Sequence, residues 1–388
     1  MTDPFSGIDS VLFVKAESAY DTAIAFVGTD ALDFMEFEIT PALQEEERTT
    51  HTGSRSFQGH IEGRRSGTWR LKTAVKVGAL GVPNDDDVIT EAAFGKAGTD
   101  TSSTSVAYTL GAVTDAARSL QFTRVVGAAF CEQANGCWVE QRKIVVPSDG
   151  TEPYFEYSGG IATYAMFRSG PAVEGAHSSS DTTILLESGD GKWLLPNVRI
   201  KFGSEDNSGA GYLVTGISTD MIAISPGLAN NVSDAAVLAP FLPSPTITGT
   251  PLGSVNCGFE IDSVAYDIKN FEITQSTGVM GHNVEATKDR PNRITNSGPR
   301  RSTATGEVFA LSAMGGIFGG AWSSETHAFT FRIGEDVAGA RHKITFPKAI
   351  IKVTPISIPD ADAAAYSLDI GPAEQSAAAN DEHSELIS

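Results

Sequence analysis

The tetrapeptide Phe-Glu-Ile-Thr stands twice in this chain, at residues 37–40 and again at residues 271–274. Alone it says little, because residue frequencies near ~6% give on the order of one such repeat by chance in a chain this long. What constrains the fold is the order of further echoes. "GRRS" at residues 63–66 answers "GPRRS" at 298–302, and the distance from Phe to the first Arg is 27 residues in one place and 29 in the other. "FTR" at 122–124 answers "FTFR" at 329–332, and "KIVVP" at 143–147 answers "KITFP" at 343–347. Four echoes in one order read as one unit written twice, with residues between the Arg pair and the Lys either inserted in the first copy or lost from the second.

The residues around these echoes are those of strands. "DFMEFEIT" alternates, with Met35, Phe37 and Ile39 on one face and Phe34, Glu36, Glu38 and Thr40 on the other. "TWRLKTAVKV" gives the returning strand of a hairpin whose connection, "PALQEEERTTHTGSRSFQG", is long and charged, and loops of that kind are usually functional. One helix is clear in "VPNDDDVITEAAFG". Pro83 with Asn84 or Asp85 starts it, Asp86 and Asp87 suit its positive end, Val88, Ile89, Ala92 and Ala93 form its apolar stripe, and Gly95 stops it. The acids lack the alternating oxygen spacing of a calcium loop. Between the echoing halves, residues 178–248 carry short, regularly spaced strand signals, which read as an inserted small β-barrel or sandwich on an outer surface, with "GAHSSSD" and "LPSPTITGTP" as its linkers. The expected class is therefore mainly β: half 1 over 1–177, the insert over 178–248, half 2 over 249–372, and a flexible tail over 373–388, which lacks apolar periodicity.

Composition narrows function by exclusion. The 48 acidic and 28 basic residues give a net charge of −20, which argues against gripping nucleic acid phosphates over the whole surface. The N-terminus carries an acid where a secretory signal would carry a base, and no apolar run reaches a membrane helix, so folding in a cytoplasm with no membrane partner is the expectation. Cys131, Cys137 and Cys257 are an odd, sparse set, read as reduced structural thiols; the six-residue step from Cys131 to Cys137 would close a hairpin only if oxidised. The seven His do not stand at ligand spacing with Cys or carboxylates. No Gly-x-Ser-x-Gly elbow, phosphate loop, His-Glu-x-x-His or dinucleotide glycine fingerprint occurs. "GDGKW" at 189–193 lacks the glycine spacing and hydroxyl of a phosphate loop and reads as a turn. The expectation is no enzyme and no cofactor. The paired Arg64-Arg65 and Arg300-Arg301 read as interface residues, with Glu45, Glu46 and Glu47 of a neighbouring copy as salt-bridge partners and Arg48 and Arg55 in the same charged connection.

The order of these features resembles the tail tube (major tail) proteins of long-tailed bacteriophages: a hairpin with a long charged loop, "IEGRRSGTWRLKTAVKV", a Pro-initiated helix, then "YTLG" and "SLQFTRVVG". The likeness covers residues 30–175 best and the second half more loosely; the insert resembles nothing comparable. It implies a virion protein, assembled in the host cytoplasm, whose β-sheets form the wall of a ring. Rings stack through the long hairpin loop, here residues 41–60 with 275–296 as the counterpart. The implied partners are further copies of the chain, tail terminator and tail-tip proteins, and, in the lumen, a tape measure protein and DNA bound without sequence preference. A chain holding two such folds closes a ring with three copies in pseudo-sixfold symmetry, whereas a chain holding one needs a hexamer. A negative lumen would let DNA slide. The runner-up reading is a β-sandwich adhesin of a baseplate or fibre, with Trp193 and Tyr212 of the insert as contact residues. Third is a β-rich hydrolase using unmarked carboxylates.

Overall fold

The computed structural model describes residues 10–47, 60–112, 114–127, 130–282, 289–296, 298–309, 324–352, 356–357, 365–375 and 380–388. The chain is mainly β, with a single α-helix among the described residues. Its largest sheet follows the order Ala31–Leu32, Ser10–Ala16, Leu120–Val126, Phe130–Val146, Ile268–Ser276, Arg301–Phe309, Ala365–Ile370, Ile356–Ser357. Four more strands branch from it. Tyr154–Gly160 pairs with both Phe130–Val146 and His60–Ala74, His60–Ala74 pairs with Glu36–Glu47, and Thr163–Arg168 pairs with Phe130–Val146.

The seventeen-residue strand Phe130–Val146 belongs to two layers. Its first part pairs with Leu120–Val126 and Thr163–Arg168, its second with Tyr154–Gly160 and Ile268–Ser276. The crossover lies at Trp138, and glycine permits it: a Cβ on Gly160 would fall 2.0 Å from the Trp138 ring and one on Gly159 would fall 1.7 Å from the Trp138 carbonyl. The sheet thus folds over itself, and the layers meet through Trp69 and Phe122, with ring centroids 4.7 Å apart. A second, seven-stranded sheet runs Val264–Tyr266, Gly258–Ile261, Thr326–Gly334, Arg341–Ile350, Ser384–Ile387, Ser105–Thr109, Thr99–Thr101. It covers the other end of the large sheet, with Phe271 and Phe331 rings 5.1 Å apart. One continuous core fills both interfaces.

Helix Asp87–Phe94 ends at Gly95 in the left-handed region, φ 70°, as the sequence predicts. Ile89, Ala92, Ala93 and Phe94 are buried beneath it. Asn84 and Asp85 serve the preceding turn instead of the helix: the Asn84 amide donates to the Lys76 carbonyl at 2.8 Å, and the Asp85 carboxylate meets buried Lys76 at 2.8 Å.

Two sequence expectations are corrected. The stretch 373–388 is not a frayed tail where it is described, because Ser384–Ile387 is an interior strand between Arg341–Ile350 and Ser105–Thr109. The insert is an antiparallel five-stranded sheet, ordered Thr183–Leu185, Met221–Ser225, Tyr212–Ile217, Arg199–Phe202, Leu238–Pro240, whose two edges are both bridged by residues 172–173, so that it closes on itself as a small barrel, but its core is not sealed by its own residues alone. Val125, Cys131 and Phe167 of the main body complete its core. It also begins earlier than residue 178, since Ala172 bridges to Val237 and Val173 to Leu186. The stretch expected as its first linker is built in, with the His177 and Val232 amides donating to each other's carbonyls at 2.9 and 3.0 Å.

Candidate assembly surface

In the strip from Glu36–Glu47 to Ala365–Ile370 the strands alternate between a dry and a wet face, the long strand Phe130–Val146 only in its second part, from Gln141 on. Phe37, Trp69, Leu71, Tyr157, Ile144, Ile273, Ala304 and Leu368 point into the core. On the opposite face Glu36, Lys72, Glu156, Lys143, Thr274 and Thr303 lie directly across from one another along a single row spanning six strands. No second layer covers this face among the described residues; it holds a shallow concavity of about 690 Å³. Acids and bases alternate along the row, and Lys143 meets Glu272 at 2.9 Å. The acidity of the whole chain is therefore not concentrated here: this face is polar and mixed in sign.

The strip ends in two edges. Glu36–Glu47 pairs only with His60–Ala74, and Ile356–Ser357 only with Ala365–Ile370, among the described residues. An edge of this kind presents backbone donors and acceptors and invites another strand; on Glu36–Glu47 the Phe37 carbonyl already accepts from Arg124 Nη1 at 2.9 Å.

Beyond the sheet, the first hairpin continues as a two-stranded arm in which Glu45, Glu46 and Glu47 stand opposite Glu62, Ile61 and His60. Arg48 and Arg55 lie outside the described residues, as does most of the connection expected to stack rings. The second hairpin carries its own ribbon, Met280–His282 against Arg293–Thr295. The doubled arginines divide by role. Arg64 and Arg301 are exposed. The Arg65 amide donates to the Asp289 carbonyl at 2.5 Å, and its guanidinium lies 3.5 Å from the Asp289 carboxylate, which ties the two arms together within one chain. Arg300 is an intramolecular clasp: it donates to the Gly111 carbonyl at 2.5 Å and to Asn380 at 2.6 Å, with Glu382 at 3.5 Å. It is thereby tied to the C-terminal segment within the chain.

Behind the sheet lies a buried polar cluster that sequence reasoning missed. Arg142 forms a two-pronged pair with Glu385, with Nη2 to Oε2 at 2.8 Å and Nη1 to Oε1 as the second contact. His342 Nε2 meets Glu385 at 2.8 Å, His383 Nε2 meets it at 3.0 Å, and Ser302 Oγ meets His383 Nδ1 at 2.9 Å. Burial alone would raise the Glu385 carboxyl, but the Arg142 guanidinium and the two imidazoles outweigh it and hold it well below the usual range. Nearby, the Tyr157 hydroxyl donates to Asp86 at 3.0 Å, and burial with Asp85 alongside pushes Asp86 up to about 6 against the pull of Arg142. Both oxygens of Glu385 are taken and the cluster is shut from solvent, so it has the character of a structural fastening. The signal was present only as "HSELIS", where His383, Glu385 and Ile387 alternate with Ser384 and Leu386, too short and too polar to read as a strand.

Cys131 and Cys137 are free and buried; burial pushes the Cys131 thiol up to about 12. Tyr212 is a core residue of the insert, its hydroxyl donating to Glu205 at 2.6 Å, so it cannot serve as an adhesive contact. Trp193 is 44% exposed. No helix among the described residues is long and apolar enough to cross a membrane. Comparison with protein-family models and with curated proteins finds no match to this chain.

Proposed function

We propose that this chain is a structural protein that closes into rings and stacks into a tube of the bacteriophage tail type, with three copies per ring. The reading rests on one observation, the recurrence of a set of strand pairings. In chain order the first set is Ser10–Ala16, Ala31–Leu32, Glu36–Glu47, His60–Ala74, Leu120–Val126, Phe130–Val146, Tyr154–Gly160 and Thr163–Arg168. The second is Gly258–Ile261, Val264–Tyr266, Ile268–Ser276, Arg301–Phe309, Thr326–Gly334, Arg341–Ile350 with its continuation Ile356–Ser357, Ala365–Ile370 and Ser384–Ile387.

In each set the first strand pairs with the second and fifth, the third with the fourth, the fourth with the seventh, and the sixth with the fifth, seventh and eighth. Unrelated sequences do not repeat so long a pairing order; a duplicated unit does. The Phe-Glu-Ile-Thr echo falls on the third strand of both sets and the Phe-Thr-Arg echo on the fifth. The Lys echo does not fit, because Lys143 lies late in its sixth strand and Lys343 early in its own. The matching pair is instead Ile144-x-x-Pro147 and Ile356-x-x-Pro359.

Two units in one chain, joined edge to edge with their wet faces continuous, make a strip whose natural continuation is another chain. A strip bent into a ring puts a polar wall around a lumen, and a wall of alternating sign offers a passing duplex no adhesive patch. Negative-stain electron microscopy of the purified chain over a concentration series tests this. Hollow tubes or stacked rings with threefold end-on views are expected; single chains at every concentration would overturn the reading.

A further inference from the structure

The junction between the two units lies wholly inside one chain and is therefore visible residue by residue. The sixth strand of the first unit pairs antiparallel with the third strand of the second, placing Ile144 opposite Ile273 and Val145 opposite Glu272. Whatever joins one chain to the next must join a second unit to a first, which is the same kind of step. The two edges left over are the two strands that this step uses: the third strand of the first unit and the continued sixth strand of the second.

The register of that step can be carried across. The repeated tetrapeptide aligns Phe37 with Phe271, and hence Glu38 with Glu272 and Ile39 with Ile273. Through the third, fourth and seventh strands the first unit aligns Phe37, Leu71 and Tyr157; the second aligns Phe271, Gly306 and Leu368. Phe155 thus corresponds to Tyr366 and Tyr154 to Ala365. These residues stand opposite Ile144 and Val145 in the first unit and opposite Ile356 and Ser357 in the second. Ile356 therefore takes the place of Ile144, and Ser357 that of Val145. The Ile-x-x-Pro match in sequence gives the same alignment independently.

We propose that successive copies of this chain join by antiparallel strand addition, with residues 36–40 of one copy against Ile356–Ser357 of the next, in the register that sets Ile39 opposite Ile356 and Glu38 opposite Ser357. The inference rests on the ring reading above and adds to it the partner surface, a second copy of the chain, and the residue pairs. Burial agrees with it. Ile273, covered by Ile144 across the internal junction, is 1% exposed, whereas Ile39 is only half-buried in the single chain; Phe271 is 2% exposed and Phe37 7%. The edge is thus missing the cover that its internal counterpart has. Pro41 limits the addition on one side, because it has no amide proton to donate and is tolerated in a sheet only where pairing stops or an edge begins.

Directly opposed residues of an antiparallel pair have Cα atoms roughly 4.5–5.5 Å apart, within the span a disulfide requires. The test is the double variant Glu38→Cys/Ser357→Cys, assembled, gently oxidised and run on a non-reducing denaturing gel, with each single variant as a control. The expected product is a covalent species that stops at three chains and reverts to one chain on reduction. Glu36→Cys/Ser357→Cys, two residues out of register, should cross-link much less. Should the double variant fail to assemble, Ile39→Cys/Ile356→Cys probes the same register. If the natural chain forms tubes but neither in-register pair cross-links, or the displaced pair cross-links better, the register is wrong while the tube reading stands. If the natural chain forms no tubes, it is the tube reading that fails. A ladder that runs on to six chains would overturn closure by three.

Discussion

This molecule is joined to itself at two seams of opposite character. Behind the large sheet, strands far apart in the chain are held through charge: Arg142 of the strand Phe130–Val146 is gripped by Glu385, with His342 and His383 completing the set. Where the insert meets the body, the seam is apolar, and Val125, Cys131 and Phe167 close a core of Val214, Ile222, Ile224 and their neighbours. An apolar seam accepts any packing of about the right volume. A buried, two-pronged ion pair accepts one arrangement, because any other strands a charge away from water. The charged seam stands behind the pairing of Phe130–Val146 with Ile268–Ser276, where the strands must meet in a single register for the sheet to run through. The insert, which needs only to stay attached, shows no such pair at its seam among the described residues.

The sharpest way to break this contrast is Glu385→Ala. It leaves the Arg142 guanidinium buried without its partner, a situation that costs about 3–5 kcal/mol of stability. Equilibrium chemical denaturation followed by tryptophan fluorescence should record that loss. Replacing both partners by apolar residues of similar size, Arg142→Met with Glu385→Leu, should restore most of it, since the penalty belongs to the orphaned charge. If the double variant is as unstable as the single one, the cluster is not acting as a matched pair, and the contrast between the seams fails.

The same contrast separates what the sequence tells from what it hides. The strand Glu36–Glu47, the helix Asp87–Phe94 and the short strands of the insert are legible because their signals are local: alternation, a capped start, a glycine stop, turn residues between apolar runs. The apolar stretches of the insert announce that they are buried, though not that Phe167 and Cys131 help to bury them. Arg142 and Glu385 are 243 residues apart, and each taken singly is a residue expected on a surface. Only the pairing makes burial tolerable, and the pairing is a fact of topology. For the same reason Arg300 reads as a surface cation in sequence, while in the fold it clasps Gly111 and Asn380. The misplaced Lys echo has a related cause: two strands of alternating apolar residues match in several registers, and only the ladder selects one.

A smaller effect is read in the pH dependence of stability. Burial raises Asp86 and Asp87, at the start of the helix, to about 6 from 3.8, and Glu17 to about 7 from 4.5. The folded state holds these protons more tightly than the unfolded chain does, so the stability they contribute is complete below about pH 4 and is lost as pH rises through 6 to 7. Glu385, held low, has the opposite sign: its contribution is present above 4.5 and is lost as pH falls through its lowered value. Asp86→Asn keeps an acceptor for the Tyr157 hydroxyl and removes one of the protons. It should flatten the decline of stability between pH 4 and 7 and raise stability above neutrality by on the order of 1–2 kcal/mol. Denaturation midpoints measured across that range decide it. An unchanged slope would mean that Asp86 does not hold its proton in the folded chain.

The smallest effect is expected on the far side of the apolar seam. Trp193 is the exposed aromatic of the insert, with the Lys192 ammonium 5.0 Å and the Arg168 guanidinium 5.4 Å from its ring centre. Cation–π contacts at so open a site contribute about 0.5–1 kcal/mol at most. Trp193→Ala should therefore change the denaturation midpoint little and leave the proposed ring assembly unaltered in the microscope, because the edges proposed to join copies lie in other strands. The same variant separates the tube reading from its runner-up. An adhesive insert would hold its ligand through this ring, so immobilised glycans should retain the natural chain and release the variant. A tube protein whose insert rides on the outside has no such requirement, and both proteins should pass through unretained while both still form tubes. Retention of the natural chain alone would move the functional weight of the molecule from the large sheet to the insert, and the apolar seam would then be the mount of a binding module.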